Sequence, residues 1–530
     1  MQLVNRLKFD NLRGDLFGGL TASIVALPLA LAFGVASGAG AIAGLYGAIF
    51  TGFFAALLGG TPSQVTGPTG PMTVVMATVF TNLIAANPES GIAMAFTAVM
   101  LSGVFQILFG ILRLGQFIIL MPYTVVSGFI SGIGVIIVAL QLAPLLGYPA
   151  QSNVLAGLQQ LPEALAYPDT TAAGLGILTL MIVFGWSGER AKVVPSPLLA
   201  LIVCTLISIV VFPNSNIDRI GYIPQGFPQL QLPRLNLNQI KDIVSYALML
   251  ATIGAIDSLL TSSVADNITR THHDSEQELI GQGIGNLMSG LFGGLPGAGA
   301  SMLTAINVQA GGKTLLSGMF HALMLLCIVL WAGKTTAQIP HTVLAGILVQ
   351  VGIEIIDWSF LWRVCQVSMR ATLVTYGVLF LTVFVDLVTA VVVGAFVANI
   401  LTIHRLTSIQ VEQVRVVASI DDEPISELTP EESQLLRQVQ KQRRIILVHM
   451  SGPMSYGAAR AIAFHMGQNF DILILDFTNV PLIGVTAAMT IEAEIKAARR
   501  QRQGEIFIVG ASGQVKERLS KFRVQDTLPA

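Results

Sequence analysis

Two tracts rich in turn-forming residues interrupt sequence that is otherwise apolar, at residues 63–72 (SQVTGPTGPM) and 293–302 (GGLPGAGASM). A helix starting at either place would leave its first amides unpaired and carry roughly half a positive charge at its tip. Two such tips facing each other would bind an anion. If the helices begin after Gly70 and after Ala300, the residues that face the anion are Thr69, Gly70, Gly299, Ala300 and Ser301. Glycine and alanine permit close approach to the amides, and the hydroxyls of Thr69 and Ser301 add donors. Small residues also serve close helix packing in membranes. Pro68, Pro71 and Pro296 favour a broken backbone, because packing alone does not require them.

One carboxylate, Asp257, lies deep in the apolar run 247–263 (ALMLATIGAIDSLLTSS). A charge at that depth costs about 2.5 to 3.5 kcal/mol on insertion scales, so it needs a counter-charge or a proton. Thr261 follows one turn later on the same helical face. With a backbone carbonyl near Gly299 and the hydroxyl of Ser301, the two form a hard-oxygen set suited to Na+. A hydrogen-bonded structural aspartate is the plain alternative. Asp386 and Glu354 also stand in apolar sequence, but near the expected ends of spans, where they should reach the membrane interface.

The elements that must position these groups are membrane helices. The chain of 530 residues is 53% hydrophobic and 11% charged, with a mean hydropathy of +0.71. That charge is too sparse to cover a soluble globule of this size. Apolar runs of span length recur from about Leu16 to about Leu406, giving about fourteen candidate spans, some of them short or broken. Basic residues place the N-terminus in the cytoplasm: Arg6, Lys8 and Arg13, then Arg113, Arg190, Lys192, Arg270, Lys313, Arg363 and Arg370 fall on one side. An even number of spans returns the C-terminus there. No small-residue cleavage site precedes the first span, so no removed signal peptide is expected. Cys204, Cys327 and Cys365 are too scattered for a disulfide framework or a metal site.

Residues 1–407 thus form a transport domain and residues 408–530 a linker followed by a smaller domain. In the latter, strand-length apolar runs at 444–449, 472–476 and 505–510 alternate with charged helical pieces, the pattern of an α/β unit with a mainly parallel sheet. Residues 419–441 read as linker and surface helix. No phosphate-loop sequence supplies ATP binding, no residue pattern suggests an enzyme or nucleic-acid binding, and His272 with His273 lacks the further ligands a metal site needs.

The stretches 15–33 (DLFGGLTASIVALPLALAF), 44–46 (GLY), 66–68 (TGP), 127–132 (SGFISG) and 278–286 (ELIGQGIGN) resemble the sulfate permease (SulP) anion-transporter family, and the tail resembles its STAS domain. The resemblance implies a seven-plus-seven inverted repeat of fourteen membrane segments with two half-helices. It also implies a core bundle moving against a gate bundle, and a homodimer assembled partly through the STAS domain. Two departures bear on the ion. Leu303 stands where many animal members have a basic residue, so no fixed positive charge is supplied. Leu29 follows Pro28 where the family tends to have glutamine, which implies a drier pocket.

These features are most similar to the cyanobacterial bicarbonate transporters of that family. The expected function is Na+-coupled uptake of bicarbonate, or of another small oxyanion, by alternating access across a cyanobacterial plasma membrane. Residues alone do not separate bicarbonate from sulfate. A proton-coupled sulfate permease, with Asp257 carrying the proton, and an anion channel or voltage-responsive protein stay open. In the tail, Gly484 and Val485 replace the aspartate and phosphorylatable serine usual in soluble relatives. Thr486 remains as a helix cap or a regulatory phosphate acceptor.

Overall fold

A computed structural model describes residues 9–118, 121–151, 153–186, 188, 194–213, 217–221, 228, 230–234, 239–385, 387–412, 414–417, 445–466, 470–500 and 504–524. Arg6, Lys8, Arg190, Lys192, Asp386 and the 419–441 linker lie outside these residues. The chain divides into two compact units, Met1–Phe396 and Val397–Ala530.

The first unit is helical. Among the described residues seven helices are long and apolar enough to cross a membrane, Val154–Ala166 and Thr170–Gly185 form an apolar pair bent by 110° at a short break, and shorter apolar helices lie between them. The helices pack as two bundles. In one, the opening helix Leu12–Ala36 contacts Ala41–Leu58 and Leu315–Thr336, while Ser275–Leu291 packs on Gly91–Ile111 and Ala41–Leu58. In the other, Tyr123–Leu145 packs on His341–Ile355 and Met369–Phe384. Lipid tails are as apolar as leucine, so close backbone approach has to hold such helices together. Gly103 and Gly283 provide it in the first bundle, where a methyl on either would strike the carbonyl of the other. Gly134 and Gly352 form the corresponding contact in the second.

Two short strands cross inside the first bundle. β1 (Thr66–Gly67) pairs antiparallel with β2 (Ala298–Gly299), with Thr66 opposite Gly299 and Gly67 opposite Ala298. Each strand runs into a helix, Gly70–Ala86 and Ser301–Gln309 respectively. The first half-helix therefore starts at Gly70 with Thr69 as its cap residue, one position earlier than the sequence suggested; the second starts after Ala300 as expected.

Side chains answer the backbone groups of these broken segments. Glu278 Oε2 accepts the amides of Gly60 and Thr61, each at 2.9 Å, and its Oε1 accepts from Gln64 and Gln282, each at 2.8 Å. Gln282 also donates to Thr66 Oγ1, and Asn286 brackets Gly297 through both its amide and its carbonyl. Near the start of the chain, buried Asp15 accepts the amides of Lys313 and Thr314 just ahead of the helix at Leu315.

The second unit is a four-stranded sheet in the order β3 (Val414–Val417), β4 (Ile445–Ser451), β5 (Ile472–Asn479) and β6 (Glu505–Val509). β3 pairs antiparallel with β4, and β4, β5 and β6 run parallel. Val448, Leu473 and Leu475 from the strands meet Ile491 and Ile495 from the helix Val485–Arg500 in its core. His449 and Asp476, opposite each other on β4 and β5, approach to 2.8 Å. Burial disfavours the Asp476 charge, but hydrogen bonds from Thr478 and His449 outweigh it and hold the carboxyl below its usual range.

Replacing Glu278 by alanine strips four hydrogen bonds from buried groups. Each orphaned buried partner costs about 1–3 kcal/mol, so Glu278→Ala is expected to lower the melting temperature of the detergent-solubilised protein and its yield in the membrane. A melting curve superposing on the wild type would show that Glu278 does not hold the crossing segments.

Candidate functional site

Beside the two helix tips lies a cavity of about 470 Å³. Its wall includes Thr69, Gly70, Gly299, Ala300 and Ser301 from the crossing segments, Leu29 and Phe33 from the opening helix, Asp257, Leu303 and His321. Ile130, Val351, Glu354 and Ile355 complete it from the second bundle, so the cavity sits where the bundles meet.

The tips leave backbone donors without side-chain caps. Neither Thr69 nor Ala300 caps its helix with a side-chain hydrogen bond, which leaves the opening amides to the cavity side. Pro71 removes one amide from the first tip. No Lys or Arg lines the cavity among the described residues, so any positive field offered to an anion there comes from the backbone dipoles.

Oxygen atoms gather beside the second tip. The Thr261 hydroxyl donates to the Gly299 carbonyl at 2.8 Å and lies 2.7 Å from Ser301 Oγ. Ser258, one turn before, accepts the Gly299 amide at 3.1 Å. Asp257 lies on the same helix, Ile240–Thr269, and reaches the cavity. Its Oδ2 and the Thr69 hydroxyl are both buried and neither makes a hydrogen bond of ordinary length among the described residues, although the Thr69 side chain lies near enough to act on the Asp257 carboxyl. A buried carboxylate oxygen without a partner is costly, and a cation among these oxygens would offset that cost. The residues singled out from sequence, Thr69, Gly70, Asp257, Thr261, Gly299, Ala300 and Ser301, are thus brought together around this one cavity or its wall.

Four residues are placed differently or were missed. Glu354 faces the cavity instead of the membrane interface, because its helix turns it inward and Gln350 donates to it at 2.9 Å. A second cavity of about 600 Å³ shares Glu354 and Met302 with the first. Glu278 carries no direct site role, yet with Gln282 and Asn286 it forms a polar stripe at helical spacing that a closer reading of residues 278–286 could have found. His321, within the run Leu315–Thr336, gave no periodic signal. In the second unit Thr486 is exposed in the first turn of its helix, which begins at Val485, so it is not the cap.

Helices broken at two crossing tips around a cavity between two bundles define a polytopic membrane transport protein. The comparisons agree. Residues 12–378 match the sulfate permease family and residues 437–529 the STAS domain, and the chain belongs to the sulfate permease family. It is 48% identical to the bicarbonate transporter BicA of Synechocystis sp. over all of this chain and 93% of that one. Against the BicA of Picosynechococcus sp. the figures are 50%, all of this chain and 94% of the other. The solved transmembrane domain of a cyanobacterial bicarbonate transporter BicA matches with a TM-score of 0.69 at 52% identity, covering 73% of this chain and all of that one. The murine anion transporter Slc26a9 shares the fold, at a TM-score of 0.83 and 20% identity over 98% of this chain and 88% of its own.

A side chain at Gly299 would overlap the Gln64 amide and crowd Thr261 Cβ at 3.0 Å. Gly299→Val is therefore expected to unpair β1 from β2 and destabilise the protein by about 1–3 kcal/mol, read as a lower melting temperature in detergent. Full thermal stability would mean that this crossing adapts to bulk.

Proposed function

We propose that the protein is a Na+-coupled symporter that takes up bicarbonate by alternating access, the two half-helix tips holding the anion and Asp257 with Thr261, the Gly299 carbonyl and Ser301 holding Na+. The observation that carries this reading is the unpartnered Asp257 Oδ2 on the wall of the cavity that Gly299 and Ser301 also line, with Thr261 bonded to both of them. Na+ there neutralises the carboxylate and adds positive field where the anion lies. Each ion then raises the affinity for the other, and linkage makes the effect reciprocal. The apolar wall formed by Leu29, Phe33 and Leu303 strengthens these fields by excluding water. The nearly full-length likeness to bicarbonate transporters supports the choice of anion.

The same reading places the protein in a cyanobacterial plasma membrane, as a homodimer held partly through the STAS unit, with that unit and the N-terminus cytoplasmic. Thr486, exposed in a first helical turn, is suited to regulation, since an added phosphate would meet helix amides there.

Uptake of labelled bicarbonate and labelled sulfate, with Na+ or with choline in its place, tests the reading. Bicarbonate uptake should require Na+; sulfate uptake driven by a proton gradient without Na+ would instead establish the proton-coupled alternative. Asp257→Ala is expected to abolish Na+-dependent uptake while the protein still reaches the membrane. Thr261→Val, which keeps the shape but loses the hydroxyl, should raise the half-activating Na+ concentration by about fivefold, the worth of one hydrogen bond. Na+ activation unchanged in both variants would move the cation site elsewhere.

A further inference from the structure

His321 is fully buried in the helix Leu315–Thr336 and forms part of the cavity wall. Neither ring nitrogen has a hydrogen-bond partner among the described residues. A buried imidazole that loses both its hydrogen bonds bears a desolvation penalty, and a chain keeps such a group where some state of the protein supplies the partner.

The polar groups of the cavity show what that partner is. Amides at the two tips only donate, and they suit the charged oxygens of an anion. Bicarbonate differs from nitrate, an anion of the same planar shape and charge, by one O–H. That hydrogen needs an acceptor. Other acceptors on this wall are already engaged in part: the Gly299 carbonyl takes the Thr261 hydroxyl, Glu354 Oε1 takes the Gln350 amide, and Asp257 belongs to the proposed cation site, whereas His321 has no hydrogen bond at either polar atom. The neutral imidazole is an acceptor through whichever nitrogen bears no hydrogen, and at this wall it is uncommitted.

We infer that His321 is a specificity-determining residue whose imidazole accepts the O–H of the transported anion, so that the site prefers hydrogen-bearing oxyanions over those without a proton. The inference rests on the bicarbonate reading above. A site built to bond a substrate hydroxyl rejects analogues lacking it far better than shape alone does, because its own polar group is then left unpaired. His321 thus adds discrimination that the helix dipoles lack.

The test compares wild type, His321→Phe and His321→Gln in proteoliposomes, reading KM for labelled bicarbonate, the inhibition constant of nitrate and the Na+ activation curve. The Phe variant should raise KM for bicarbonate about tenfold or more, leave nitrate inhibition and Na+ activation near wild type, and so collapse the preference. The Gln variant, which retains an acceptor oxygen, should recover part of it. His321→Met carries the same comparison if the phenylalanine does not fit the helix packing. An unchanged ratio of bicarbonate to nitrate affinity in the apolar variants overturns the role of His321 while leaving the transport reading intact. A wild type that takes up no bicarbonate overturns that reading and this inference with it.

Discussion

The whole transport unit depends on one constraint: backbone that leaves the helix inside an apolar bundle must find a partner for each of its amides and carbonyls. Here the two broken segments answer each other first, through the antiparallel pair at Thr66 and Gly299. What the pair leaves over falls to polar residues on neighbouring helices: Glu278 for Gly60 and Thr61, Asn286 for Gly297, Thr304 for Val65, Ser258 for Gly299. The polar content of the Ser275–Leu291 helix, odd for a segment so deeply buried, follows from this duty. The outward amides of the tips are the exception, and they remain available to a ligand.

That division explains what could be read from the sequence. Breaker residues such as Pro68, Pro71 and Pro296 carry a local signal that needs no partner to interpret, and Asp257 announces itself by its cost in apolar surroundings. Both were legible, as was the change from membrane spans to strand-length runs in the tail. The β1–β2 pairing was not, because two residues per strand give no periodicity and the partners lie far apart in the chain. Glu354 was misplaced because closeness to the end of a span says nothing of which way a helix face turns. His321 left no trace for a related reason: a lone histidine in an apolar run looks like packing until the cavity beside it is seen. Thr486 stands two positions past the cap it was expected to be, within the ordinary uncertainty of helix boundaries.

The two bundles divide the labour of the site. The first contributes both tips, the oxygen cluster and His321, and its glycine contacts hold those parts as a block. The second contributes a mostly apolar wall with Glu354. Movement between such blocks preserves the hydrogen bonds inside each and exchanges mainly apolar contacts, with Glu354 and a few neutral polar side chains such as Thr21, Gln309 and Gln350 at the seam. A bundle boundary is therefore the low-cost place for a conformational step, and irregular backbone kept wholly within one block need not be rebuilt during it.

Charge summed over the cavity gives a reason why the proposed ions should move together. The two tips supply about one positive charge between them, about half from each, and Asp257 supplies one negative, so the site without ions is near neutral. An anion alone leaves about one excess negative charge and Na+ alone about one excess positive, each in a pocket walled by Leu29, Phe33 and Leu303 where uncompensated charge is costly. Both ions together restore neutrality. The states that cross the barrier most readily are then the empty and the doubly loaded, which is the condition for coupling without leakage. A divalent anion with Asp257 protonated would leave about one negative charge in the same pocket, so the same sum favours a monovalent anion.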